Sequence, residues 1–158
     1  MTLLGHRQAI PQRVRQAPDQ VGIAKRLHAA ARNLTDARLA ALSDDHRFDA
    51  ADKTLMQCAM AARWAHGYRT ATSQPGHHQT AIQTLPNTMG IPAPTVIVLD
   101  ALRQQCNVND DEGDPVSDAA LASCLDEAAK LMAPTRHWLA TEHPGLAESR
   151  LCNVNPSS

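Results

Sequence analysis

The first candidate for chemistry in this sequence is the pair Arg103 and Asn107, which could hold a phosphate group. The two residues lie four apart in the segment RQQCNVND, where a predicted helix runs into the acidic, Gly- and Pro-containing segment DEGDPVS. A guanidinium stabilises the negative charge of a phosphate, and the Asn107 amide could orient either partner. The structural alternative is that Arg103 pairs with Asp100 or with the acidic loop, and that Asn107 caps the helix C-terminus.

A second candidate site, for an anion, lies in the segment GYRTATSQPGHHQT. Gly76, His77 and His78 open a predicted helix, where free N–H groups and the helix dipole favour an anion. Arg69 lies across a short loop, so Arg69, His77 and His78 are predicted to bind a phosphate or a nucleotide. In the structural alternative, one imidazole caps the helix or packs against Tyr68, and the other faces solvent.

The spacing of histidine and cysteine argues against a metal site. No two of the eight histidines are four residues apart, no Glu-x-x-His occurs, and the four cysteines include no CxxC pair. A helical bundle would need such pairs on facing helices to hold a metal ion. We therefore expect neither a metal nor another cofactor, and we expect the helical cysteines to act as small apolar residues in a reducing compartment.

Charge is distributed unevenly along the chain, although the formal net charge is only −1. Residues 1–47 contain eight basic and four acidic side chains, whereas residues 98–131 contain eight acidic and two basic ones. The first segment could contact phosphates and the second would repel them, unless both are only solvated surfaces. No apolar run approaches the ~20 residues of a membrane span and no signal peptide is recognisable, so we expect a cytoplasmic protein without membrane contact.

The apolar pattern predicts an all-α fold, an up-and-down bundle of about five helices within residues 19–145. A flexible basic arm at 1–18 and a flexible tail at 146–158 are expected to flank it. The apolar stripes are narrow and rich in alanine. They leave apolar area that a second copy could cover, which predicts a homodimer.

Local signals predict where the helices begin and end. Ser43 and Ser117 are predicted N-caps of the second and fifth helices, and the first helix starts at Asp19. Gly67 and Gly90 are predicted to end the second and third helices in the left-handed conformation. The fourth helix is expected in VIVLDALRQQC, and Pro134 is expected to interrupt the fifth.

Two stretches resemble the HEPN (higher eukaryotes and prokaryotes nucleotide-binding) domain family. RFDAADKTLMQCAMAARWAHGYR followed by GHHQTAIQTL is similar to its second and third helices, which often contain Arg-Phe-Asp-x-Ala, Gly-Tyr-Arg and Gly-His-His. LDALRQQCNVNDDEGDPVSDAALASCLDEAAKLM resembles its next two helices, where an Arg-x-x-Arg-Asn turn precedes a long helix. The resemblance covers roughly residues 20–142 and implies a homodimeric helical bundle that associates with nucleotides or RNA.

The resemblance also implies where a ribonuclease centre would lie. Active members cut RNA without a metal, using an Arg followed a few residues later by a His at the turn before the last long helix. If Arg103 is that arginine, the His position here holds Val108, Asn109 or Asp110. If the family's second Arg is the catalytic one, Cys106 stands in its place. In neither alignment is the group that would transfer a proton present.

The sequence therefore predicts a HEPN-like nucleotide- or RNA-binding or accessory module with a degenerate Arg-His motif. The resemblance implies a toxin–antitoxin, defence or mobile-element system and a nucleotidyltransferase-type protein partner. One alternative is an active, metal-independent endoribonuclease that uses Arg103 with a substitute group, such as Asp110 or His78 of the partner subunit. Another is a regulatory helical homodimer without a nucleic-acid role.

Overall fold

Five α-helices and one short β-ribbon make up the ordered framework. The computed structural model describes residues 13–15, 19–70 and 81–146, without the side chains of residues 13–15, 68–70, 110 and 111. The helices are α1 (Gln20–Ala37), α2 (Asp44–Ala65), α3 (Leu85–Met89), α4 (Ala93–Glu112) and α5 (Asp118–Glu142). The strands are β1 (Arg13–Arg15) and β2 (Tyr68–Thr70). The predicted all-α class is confirmed for the described residues.

The predicted helix boundaries at caps and glycines are confirmed. Asp19, Ser43 and Ser117 each accept a hydrogen bond from a backbone N–H of the first helical turn, at 3.1 to 3.3 Å. Such bonds satisfy N–H groups that have no partner within the helix. Gly67 follows α2 with φ of 99°, and Gly90 follows α3 with φ of 68°, a conformation that glycine adopts without steric cost.

The end of the fourth helix differs from the prediction. α4 continues past Cys106 through the acidic residues to Glu112, and Gly113, with φ of 72°, ends it. Asn107 is therefore an interior helical residue, and its predicted role as a C-cap is wrong. The fifth helix also differs, because α5 runs through Pro134 without a break. A proline removes one helical hydrogen bond, and Pro134 lies on the exposed side of the helix.

The N-terminal segment contributes a strand that the sequence pattern did not indicate. β1 pairs antiparallel with β2, so residues 13–15 of the expected flexible arm have a defined backbone partner. In the third helical segment, residues 81–83 are helical and lead into α3. The predicted start of that segment, at His77 and His78, lies outside the described residues.

Helix α2 is the centre of the bundle. Fourteen of its 22 residues are buried, and six of those are alanines, which let neighbouring helices approach closely on several sides. α1 lies antiparallel against it: the Thr54 hydroxyl donates to the Ala30 carbonyl at 3.1 Å, and Arg47 Nε donates to the Ala37 carbonyl at 2.9 Å. These long-range bonds join α1 and α2 in one register.

Helices α4 and α5 complete an up-and-down arrangement around α2. α5 runs parallel to α2, because Cys124 lies against the Phe48 carbonyl and Met132 lies against Cys58. α4, which lies between α2 and α5 in the sequence, runs antiparallel to α2. No helix among the described residues is long and apolar enough to cross a membrane.

A close contact between Gly22 and Trp64 joins the start of α1 to the end of α2. A Cβ atom at position 22 would overlap the six-membered ring of Trp64. Arg26, one turn further along α1, holds its guanidinium 5.1 Å from the centre of the Trp64 ring. The indole thus lies between a glycine and a cation, an arrangement that requires a residue without a side chain at position 22.

We predict that Gly22→Ala destabilises the protein by about 1–3 kcal/mol, the usual effect of forcing extra atoms into a packed site. On helix propensity alone the same change would stabilise the protein by about 1 kcal/mol, so the sign of the effect tests the contact. Urea unfolding measures the difference. Gly145→Ala is the control, because a Cβ atom there meets nothing within 4 Å and should leave stability unchanged.

Candidate functional site

The first predicted site centres on Arg103, whose guanidinium is engaged inside the bundle. Arg103 projects from α4, and its NH1 group donates to Asp52 Oδ2 on α2. The Asp52 side chain is only 3% exposed and that of Arg103 is 21% exposed. The partner is thus neither Asp100 nor the acidic loop, the two that the structural alternative had named.

Asp52 is the residue that sequence reasoning missed. It follows Phe48 by four positions and precedes Leu55 by three, so it belongs to the buried face of α2. A carboxylate on such a face needs a cation, because an unpaired buried charge is very costly. That local pattern could have flagged Asp52 as a residue in need of a partner. It could not have named Arg103, which is 51 residues away.

Among the described side chains of the predicted motif, neither Asn107 nor Asn109 forms a hydrogen bond with the Arg103 guanidinium. Asn107 is exposed, and Asn109 is half-buried and accepts a hydrogen bond from Gln105 at 2.7 Å. Asp110 is helical in its backbone, and its side chain lies outside the description. The motif segment is therefore one continuous helix rather than a turn that gathers side chains around a phosphate.

The second predicted site is described only in part. Arg69 is the middle residue of β2 and pairs with Val14 of β1, while its side chain is outside the description. His77 and His78 also lie outside the described residues, so their convergence with Arg69 stays a prediction. What the structure adds is that the neighbours of Arg69 across the ribbon come from the N-terminal segment.

A cavity of about 210 Å³ lies where the start of α2 meets the end of α4 and the loop before α5. Asp45, Asp49 and Asp114 give it an acidic wall, and Asp45 accepts a hydrogen bond from the Val116 N–H at 2.9 Å. Its other lining residues are Phe48, Cys106, Asn109, Gly113 and Val116. Carboxylates repel a phosphate, so this cavity is unsuited to RNA or to a nucleotide.

The buried cysteines have environments that suppress thiolate chemistry. Burial raises the pKa of the Cys58 thiol from 9.0 to about 12, and burial likewise raises the pKa of Cys124, with the nearby Asp52 carboxylate adding to the effect. Cys58, Cys106 and Cys124 are free and buried. Because only the thiolate is a good nucleophile, Cys58 and Cys124 are packing residues at neutral pH.

In the part of the chain that the structure describes, no group of three or more His, Cys, Asp or Glu residues is arranged to hold a metal ion. No family model matches the chain, and no curated protein or solved structure is significantly similar to it.

We predict that Arg103→Met lowers the free energy of unfolding by about 3 kcal/mol or more, because it removes one partner of an ion pair whose carboxylate is buried. Asp52→Asn should cost less, since the Arg103 guanidinium can still reach solvent. The double variant Asp52→Leu/Arg103→Met should recover most of the loss, because it removes both charges. Urea unfolding gives all three values.

The control for this ion pair is Lys53→Met. Lys53 binds Asp49 at 3.0 Å, but both side chains are about half exposed, so its removal should cost less than about 1 kcal/mol. A loss from Arg103→Met no larger than the loss from Lys53→Met would show that the Arg103–Asp52 pair is not a structural element.

Proposed function

We propose that this protein is a HEPN-like helical module that binds RNA or a nucleotide and does not cleave RNA. The observation that supports the absence of cleavage is the pairing of the Arg103 guanidinium with the buried Asp52 carboxylate. The resemblance of the sequence to the family supports the bundle and the nucleic-acid role. We further propose that the module works with a nucleotidyltransferase-type protein, as the resemblance implies.

Cleavage of RNA would need a cation directed at the scissile phosphate and a group that transfers a proton. Arg103 would have to leave Asp52 to serve as that cation, and breaking a buried ion pair costs several kcal/mol. The nearby Asn107 carries an amide, which does not exchange a proton near neutral pH. No histidine occurs anywhere in α4 or in the loop that follows it.

The expected result is RNA binding without cleavage. Labelled transfer RNA is incubated with the purified protein in EDTA, bound RNA is measured by gel shift, and fragments are resolved by denaturing electrophoresis. Intact RNA in a shifted band supports the proposal. Metal-independent fragments, lost in Arg103→Lys but retained in Lys53→Met, would establish the ribonuclease instead, since lysine keeps the charge that Asp52 needs and removes the planar guanidinium.

We also propose that the module is a homodimer formed through α4. Ile97 is 70% exposed and Val108 is 46% exposed, and these positions lie about three turns apart on one side of the helix. Val98 adds to the same apolar area. α4 is the outer helix of the bundle, and a second copy packed against it would remove these side chains from water.

The dimer proposal predicts that Ile97→Asp yields monomers, because a carboxylate at the centre of an apolar interface would be buried without a partner. Sedimentation equilibrium measures the mass in solution. Leu39→Asp is the matched control, since Leu39 is exposed to 48% in the connection between α1 and α2. A dimer that survives Ile97→Asp, or a monomeric wild-type protein, would contradict the proposal.

A further inference from the structure

The β-ribbon gathers three arginines from distant parts of the sequence. Arg13 pairs with Thr70, Val14 with Arg69, and Arg15 with Tyr68. Half of the six paired residues are therefore arginine. Arg13 and Arg15 are two residues apart on one strand, so their Cα atoms are separated by about 7 Å. The pairing brings the three basic residues onto one short ribbon, with Arg13 and Arg15 at alternate positions of β1 and Arg69 opposite Val14, at a position of the other alternating set.

The ribbon lies at one end of the bundle. Arg15 comes four residues before the α1 cap Asp19, and Tyr68 comes three residues after the end of α2. α5 runs parallel to α2, so its C-terminus lies at this end too. We call this region the ribbon end: β1, β2, the start of α1, and the last turns of α2 and α5.

The ribbon end is depleted of acidic residues. No Asp or Glu occurs from residue 20 to residue 35 or from residue 60 to residue 99. Among the described residues of the ribbon end, the acidic ones are Asp19, which caps α1 through Val21 and Gly22, and Glu142 at the end of α5. Because few carboxylates at this end offset the positive charge of the arginines, the surface attracts polyanions.

Cations on the adjoining helices extend the basic surface beyond the ribbon. Lys25 is exposed on α1, and Arg136 is exposed on α5. Arg26 is half-buried over Trp64. The opposite end of the bundle contains the acidic cavity wall and the residues Glu112 and Asp118, so the two ends differ in sign.

We propose that the ribbon end is the surface that binds the phosphate backbone of RNA. This inference rests on the proposed RNA-binding function and specifies where the RNA is held. Arginine is suited to the task because its planar guanidinium donates two parallel hydrogen bonds to a phosphate.

The test compares two triple variants that change the net charge equally. Arg13→Gln/Arg15→Gln/Arg69→Gln removes the ribbon cations. Arg38→Gln/Lys53→Gln/Lys130→Gln removes three exposed cations elsewhere. Binding of a short fluorescent single-stranded RNA is followed by anisotropy in EDTA, between about 50 and 200 mM salt. Circular dichroism and thermal unfolding establish that both variants are folded.

The ribbon variant is expected to bind RNA about tenfold or more weakly than the wild type at the lower salt concentration. The slope of the logarithm of its binding constant against the logarithm of salt concentration should be shallower by about 2, because each of the three lost contacts contributes ~0.7. The control variant should bind within about twofold of the wild type. Equal binding by both variants would overturn the inference but leave the proposed function standing. A wild-type protein that binds no RNA would overturn both.

The experiment also distinguishes RNA from a protein partner at the ribbon end. The acidic end of a second copy is the competing polyanion, because the two ends of the bundle have opposite charge. Sedimentation of the wild type and of the ribbon variant at low and high salt detects such self-association. Loss of self-association in the ribbon variant with unchanged RNA affinity would overturn the inference.

Discussion

The buried carboxylate of Asp52 is the constraint on which the arrangement of the outer helix depends. A charge that is 3% exposed requires a cation, and Arg103 supplies it from α4. Arg103 is directed inward, and positions 97 and 108 are rotated from it by about 120–140° around the helix axis. Ile97 and Val108 therefore face outward. The ion pair, together with the buried Leu99, Leu102 and Cys106, thus fixes the rotation of α4 and leaves an apolar strip uncovered.

The same pair changes the chemistry available to the motif. A guanidinium used to neutralise a buried carboxylate cannot also receive a phosphate without giving up that ion pair. Helix α4 runs unbroken to Glu112, which spreads its polar side chains around a cylinder instead of gathering them at a turn. A stable bundle and a ribonuclease centre at this position would compete for one arginine. The geometry favours the bundle, which is why we assign binding to another surface.

Charge separation along the bundle follows from its topology. The up-and-down order brings the end of α4 and the start of α5, both acidic, beside the start of α2. The same order brings the end of α5 beside the start of α1 and the ribbon, where the arginines lie. The formal net charge is only −1, so the difference in sign between the two ends is not visible in the charge of the whole chain.

The amino-acid sequence by itself determined the helices and most of their ends, because capping by Asp19, Ser43 and Ser117 and left-handed glycines at 67 and 90 are interactions within a few residues. The end of α4 is also set by a local interaction, because the left-handed Gly113, and not Asn107, ends the helix. Only the tertiary structure decided that Arg103 meets Asp52 and that β1 meets β2. Those contacts join residues more than 50 positions apart, and strands of three residues are too short to show a periodic pattern.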